Sequence, residues 1–425
     1  MTTKLFRNAR INTPVSNSSR TAEKKGSYSI SFWECGAVLV KNGLIERIGD
    51  ETEVLKGLSH KQVDQEITCE GRCLVPGFVD PHTHMCFSSP REAEFSKRLA
   101  GTPYLEMLKA GGGILSSVRS VRESTDEVLL GATRKNVMTA LLHGTTTVEI
   151  KSGYGLDTKS EIRMLKVIEQ IGRETPLDIV STFMGAHAVP MEYKGDSDGY
   201  VDLIVNEMIP AVSRECGSAF CDVFCEEGVF SVPQSRRILL AAKEHGMASK
   251  IHADEVNDTG GAALAAEIGA VSAEHLLATN DTNLAAMAKA GVIAVLLPAT
   301  AYSLRKPPAN ARRMMELGLT VALSTDCNPG SSFTQSMPFV FSLAVMNMMM
   351  TVNEALAACT LNAARAIRMD SIVGSLEKRK YADFLILDGE TPAILAYQTG
   401  VPPIYSIFKR GECMADCFQE RRTVR

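Results

Sequence analysis

Through the middle of the chain, eight apolar, β-rich runs alternate with helix-period segments, and nothing else in the sequence constrains the fold as tightly. The runs are CLVPGFVD (from Cys73), TTTVEIKS (Thr145), LDIVSTFMG (Leu177), FCDVFCEE (Phe220), ASKIHADE (Ala248), AVSAEHLL (Ala270), VIAVLLPA (Val292) and TVALSTD (Thr320). Segments such as DTKSEIRMLKVIEQIGRE and PQSRRILLAAKEHG separate them, with apolar residues spaced three and four apart. Such alternation predicts an α/β fold with a parallel sheet, and eight units predict closure into a (β/α)8 TIM barrel. A doubly wound open sheet is the competing arrangement. No GxGxxG follows the first run and no GxxxxGK[ST] occurs, so the usual nucleotide sites of that alternative are missing.

The two ends read differently. AVLVKNGLIERIGD (Ala37 to Asp50) sets Asn42-Gly43 between β-rich runs, a strong hairpin signal. YADFLILD (Tyr381 to Asp388) and IYSIFKRGECM (Ile404 to Met414) are again strand-like. A small β-sandwich domain formed by both chain ends is therefore expected, from residues 1–72 and 371–425, around a barrel of residues 73–370. The polar stretch around Asn17 to Ser29 reads as an exposed loop.

Composition narrows the function. Forty-five Lys+Arg against 49 Asp+Glu give a formal charge of -4 with no long basic tract, which argues against nucleic acid as a partner. No apolar run reaches the roughly 18–20 residues of a membrane span. The start, MTTKLFRNARINTP, has no apolar stretch behind its basic residues, so no secretory signal is expected and the protein is placed in the cytoplasm. The eleven cysteines include CxxxC pairs (Cys69/Cys73, Cys221/Cys225, Cys413/Cys417) but no CxxC knuckles, and read as reduced thiols.

Barrel chemistry gathers at the C-terminal ends of the strands. Those ends carry Asp80-Pro81-His82-Thr83-His84 on the first strand, His252-Ala253-Asp254-Glu255 on the fifth, Glu274-His275 on the sixth and Asp326 on the eighth. Four of the eight histidines thus stand at strand ends, and His187 follows the third. Side-chain direction has period two along a strand, so His82 and His84 share a face. With His252 and Asp326 they make an N/O donor set that suits a divalent ion, zinc or iron. Such an ion brings the pKa of its bound water to about 7 and makes hydroxide available for attack. His275, with an ordinary imidazole pKa of about 6.5, is the candidate to move the proton. Asp326 and Glu255 are the other candidates.

PGFVDPHTH resembles the first-strand signature of the amidohydrolase superfamily. EIKSGYGLD (Glu149 to Asp157), TFMGAHAVP (Thr182 to Pro190), KIHADE (Lys250 to Glu255), SAEHLL (Ser272 to Leu277), STDCNPGS (Ser324 to Ser331) and the run from His82 to Ile114 are similar to its imidazolonepropionase family. The similarity extends roughly from Gly71 to Asp388. It implies hydrolysis of 4-imidazolone-5-propanoate to N-formimidoyl-L-glutamate in histidine degradation. By position, it implies His82, His84, His252 and Asp326 as metal ligands and His275 as an aid to proton transfer. Arg91, Tyr104, Tyr154, His187 and Glu255 match substrate-binding positions, and Asn328, Gly330 and Ser331 match the loop that meets the product. Ser331 and Glu274 depart from the usual threonine and aspartate while keeping the functional group. Two-metal relatives of this architecture bridge their ions with a carboxylated lysine on the fourth strand. CDVFCEEG offers none, and Lys151 follows the second strand, so a single Zn2+ or Fe2+/Fe3+ ion is expected.

These residues suit a flat lactam with a propionate arm. Arg91 can grip a carboxylate through two parallel N–H bonds, with Tyr104 and Tyr154 donating hydroxyls. His187 is expected to donate to the ring carbonyl as charge develops there. Gly111 to Gly113 are a candidate lid hinge, and a homodimer is expected from the family. The rival readings are a related deaminase of a nucleobase-like ring and an inactive scaffold homologue.

Overall fold

The computed structural model describes residues 2–15, 29–100 and 112–416. The strands run in chain order as β1 (Thr3–Pro14), β2 (Ile30–Lys41), β3 (Leu44–Asp50), β4 (Gln65–Thr68), β5 (Cys73–Pro76), β6 (Phe78–Asp80), β7 (Thr145–Lys151) and β8 (Asp178–Ala186). They continue as β9 (Phe220–Cys225), β10 (Ala248–Ala253), β11 (Ser272–His275), β12 (Ile293–Leu296), β13 (Val321–Leu323), β14 (Phe384–Leu387), β15 (Ile404–Lys409) and β16 (Glu412–Asp416).

Strands β6 to β13 form one sheet in sequence order, each parallel to the next. All eight expected barrel strands are present. Side chains join the first strand to the last. Asp80 accepts from the backbone N–H of Thr325 at 3.1 Å and from its hydroxyl at 2.6 Å, and also from the Ser324 hydroxyl. The N–H of His84 donates to the carbonyl of Cys327 at 2.9 Å, and that of Lys151 to the carbonyl of Thr83 at the same length. The His82–His84 segment is thus pinned between the ends of β7 and β13. Burial pushes the carboxyl of Asp80 up to about 6, and its hydroxyl and amide donors oppose that rise.

The intervening helices follow their sequence signals. The helix Thr158–Glu174 is capped by Asp157, whose side chain accepts from the N–H of Ser160 at 2.7 Å. Val232–Glu244 opens with a capping box between Ser231 and Gln234. Each buries its apolar stripe, Ile162, Leu165, Ile168 and Ile171 in the first and Ile238, Leu239 and Ala242 in the second.

Both chain ends build a second sheet, in the order β16-β15-β14-β5-β1-β2-β3 with β4 beside β1. Asn42 and Gly43 turn between β2 and β3 with φ of 51° and 79°, the left-handed pair of a two-residue hairpin turn. Phe6, Phe384 and Phe408 pack its apolar face, with ring centroids 4.7, 4.9 and 5.0 Å apart. The first β-rich run, read from sequence as one strand, is divided. Cys73–Pro76 pairs with β1 and β14 in this second sheet, and only Phe78–Asp80 enters the barrel. Gly77 makes the break, where an added Cβ would lie 2.4 Å from the Thr146 hydroxyl oxygen.

Candidate active site

The barrel delivers its histidines to one point. His82 and His84, just beyond β6, are buried with ring centroids 5.4 Å apart. His252, the fifth residue of β10, points inward and brings Nε2 to 3.3 Å from Nε2 of His84. Asp326, three residues past β13, places Oδ1 3.5 Å from Nε2 of His82 and 3.7 Å from Nε2 of His84. Thr300 donates to the other oxygen, Oδ2, at 2.6 Å, which turns Oδ1 toward the imidazoles. Asp254, His275, Leu276 and Asp326 all adopt positive φ, between 50° and 71°, so left-handed backbone clusters at these strand ends.

The donor chemistry fits a divalent cation. Both ring nitrogens of His82 and Nδ1 of His84 are buried with no hydrogen-bond partner among the described residues. An orphaned buried polar atom costs about 1–3 kcal/mol, and a cation held at Nε2 of His82 removes that cost for the nitrogen it takes. Burial, together with neighbouring positive groups, drives His82 and His84 well below the ordinary imidazole value, so their lone pairs are free. Burial raises the carboxyl of Asp326, and His275 and the Thr300 hydroxyl oppose it.

Around this cluster lies a cleft of about 740 Å³, lined in part by Arg91, Tyr154, His187, Glu255 and His275. His275 ends β11 with its ring centroid 5.3 Å from His252 and 5.9 Å from His82. Its Nδ1 is 3.8 Å from Glu255 Oε1. Tyr154 sits in the loop after β7, which a single carboxylate organises. Glu161 accepts from the N–H groups of Gly153 (3.0 Å), Gly155 (2.7 Å) and Leu156 (2.9 Å). Gly155 has to be glycine because a Cβ there would stand 2.6 Å from the backbone nitrogen of Glu161. Arg91 donates to Glu94 at 3.1 Å and to Ser117 at 3.4 Å, and lies across Gly330.

Residues 73–414 match the amidohydrolase family. The chain is 61% identical over 414 residues to an imidazolonepropionase of Syntrophobacter fumaroxidans, covering 97% of each. It is 56% identical to that of Desulfotalea psychrophila, covering 97% of this chain and 99% of the relative. The chain belongs to the amidohydrolase family, in its imidazolonepropionase branch. Amidohydrolase-type architecture recurs in the E. coli guanine deaminase structure, with a TM-score of 0.73 at 16% identity over 97% of this chain and 100% of that one. The 5-methylcytosine deaminase of Klebsiella pneumoniae gives 0.71 at 15%, over 97% of each chain. At those identities the likeness is one of fold.

Two of the residues matched to substrate and product positions, His187 and Asn328, line the cleft and are held by specific contacts. His187 stacks on His84 with centroids 4.7 Å apart, and its Nδ1 lies 3.0 Å from the carbonyl of Gly153. A carbonyl only accepts, so Nδ1 carries the proton. Burial, with His252 nearby, lowers this imidazole to about 3, leaving it neutral with a bare Nε2. In this tautomer His187 turns an acceptor nitrogen, Nε2, away from Gly153. Asn328 spends its amide within its own loop, accepting from the N–H groups of Gly330 (2.8 Å) and Ser331 (2.7 Å) and donating to the Asp326 carbonyl (2.8 Å). It shapes the loop that carries Asp326. Tyr104 and Gly111 lie outside the described residues, as do residues 17–28 of the polar insertion.

Sequence reasoning passed over Glu149 and Asp222 and considered Lys151 only as a bridge between two ions; all three are fully buried. Period two was the available signal, because Glu149 and Lys151 alternate on the inward face of β7.

Proposed function

We propose that this protein hydrolyses 4-imidazolone-5-propanoate to N-formimidoyl-L-glutamate, with His82, His84, His252 and Asp326 holding one divalent ion, zinc or iron. The observation that carries the reading is the convergence of those four side chains at the head of a cleft that also contains Arg91 and Tyr154, in a chain so similar to imidazolonepropionases. When bound, such an ion supplies Lewis acidity, which acidifies water and polarises a ring carbonyl.

The chain's own groups do the rest. Water adds to the ring carbonyl, the amide C–N bond breaks, and a proton passes to the departing nitrogen. His275, beside both His82 and His252, moves that proton, and Glu255 stands next to it to accept a ring N–H. His187 accepts a second ring N–H at Nε2. Burial raises the Tyr154 phenol far above its ordinary value, so it stays a donor and serves, with Arg91, to bind the propionate. Ten cysteines are free among the described residues, in keeping with a reducing cytoplasm. No helix among the described residues is long and apolar enough to cross a membrane.

The test uses freshly prepared imidazolone propionate and follows its ultraviolet band beside an ammonia assay. Loss of the band without ammonia is expected. Ammonia release from a nucleobase-like ring, with the imidazolone untouched, contradicts the proposal and favours a deaminase.

A further inference from the structure

Beneath the histidine cluster, a chain of buried charges crosses the barrel from β7 to β10. Thr83 donates its N–H to Glu149 at 3.2 Å, and the Thr182 hydroxyl donates to the same carboxylate. Glu149 Oε1 lies 2.7 Å from Nζ of Lys151, and that ammonium lies 2.8 Å from Oδ2 of Asp222. The other oxygen of Asp222 accepts the backbone N–H of His252 at 3.2 Å and faces its ring Nδ1 at 3.0 Å. None of the three charged side chains is exposed at all.

A buried ammonium beside two carboxylates keeps them ionised, because an unpaired buried charge is costly. An ionised Asp222 has no proton to give, so the hydrogen in the short contact sits on Nδ1 of His252. Nε2, the atom that faces His84, is then left as a bare lone pair.

We propose that Asp222, clamped by Lys151 and Glu149, is a positioning residue that fixes the ring and the tautomer of His252 toward the divalent ion. The inference rests on the reading of His82, His84, His252 and Asp326 as the ion's ligands. It also gives Lys151 a task unrelated to bridging two ions. Groups that hold a ligand's second nitrogen typically change metal affinity about 10–100-fold when altered.

The experiment measures zinc dissociation constants by chelator competition for the parent protein and for Asp222→Asn, with circular dichroism as the folding control. The parent is expected to bind zinc, and the folded variant to bind it about 10–100-fold more weakly. A parent with no zinc affinity removes the metal reading and the inference with it. A folded variant with the parent's affinity overturns the positioning role alone. A second measurement needs no variant: nitrogen-15 spectra of the zinc-loaded parent, labelled at histidine, should show a hydrogen-bonded Nδ1–H on His252. A proton on Nε2 of that ring overturns the proposal even if Asp222→Asn does not fold.

Discussion

Arg91 and Gly330 pack against each other in the wall of the cleft. A Cβ on Gly330 would lie 2.5 Å from Nη2 of Arg91, so the guanidinium keeps its place only because that residue is glycine. With Arg91 on the propionate as proposed, Arg91→Ala removes a charge-assisted pair, a loss of about 1.5–3 kcal/mol, and should raise KM roughly 10–100-fold. Gly330→Ala should raise KM in the same direction by less, since the guanidinium is displaced and not lost. Steady-state kinetics of both variants check this, and an unchanged KM in each removes Arg91 from substrate binding. The gathering of the histidines was legible because they fall at or just past barrel strand ends, which converge on one mouth. Asp222 and Lys151 were not. A charged residue inside an apolar run carries no mark of its partner, and the ion pair between them spans 71 positions of sequence.

At the scale of elements, the loop after β7 holds the site together. Its two glycines, Gly153 and Gly155, admit His187 and Glu161 where a Cβ would stand 2.9 Å from His187 Nδ1 and 2.6 Å from the Glu161 backbone nitrogen. Glu161→Gln exchanges one acceptor oxygen for an amide that faces the same N–H groups. It should lower unfolding stability by about 1–3 kcal/mol in denaturant melts and reduce turnover by shifting Tyr154 and His187. Parent-like stability would show that the loop holds its shape without that carboxylate. The β2–β3 hairpin could be read directly from Asn42-Gly43, since both residues tolerate the left-handed region that its turn demands. The division of CLVPGFVD could not. What draws Cys73–Pro76 away is pairing with β14, some three hundred residues later, and no local signal records a contact of that span.

Across the whole molecule, the two sheets share a charged joint. Lys409 on β15 lies 2.5 Å from Asp178 at the start of β8, and Arg410 lies 2.9 Å from the same carboxylate. The barrel's N-terminal edge is fastened there, and its opposite end is left to the site. Eight-fold alternation made the barrel legible because each strand–helix unit repeats one pattern. The pairing of the terminal strands depends on both ends meeting, and only the existence of that second sheet could be inferred. The account depends on imidazoles from the first and fifth barrel strands and a carboxylate from the eighth sharing one ion. Anomalous diffraction at the zinc edge from crystals of the zinc-loaded protein tests this most directly. A single peak is predicted, at about 2.0–2.2 Å from nitrogens of His82, His84 and His252 and an oxygen of Asp326. Two peaks in the cleft, or a lone peak bound by other side chains, would contradict it.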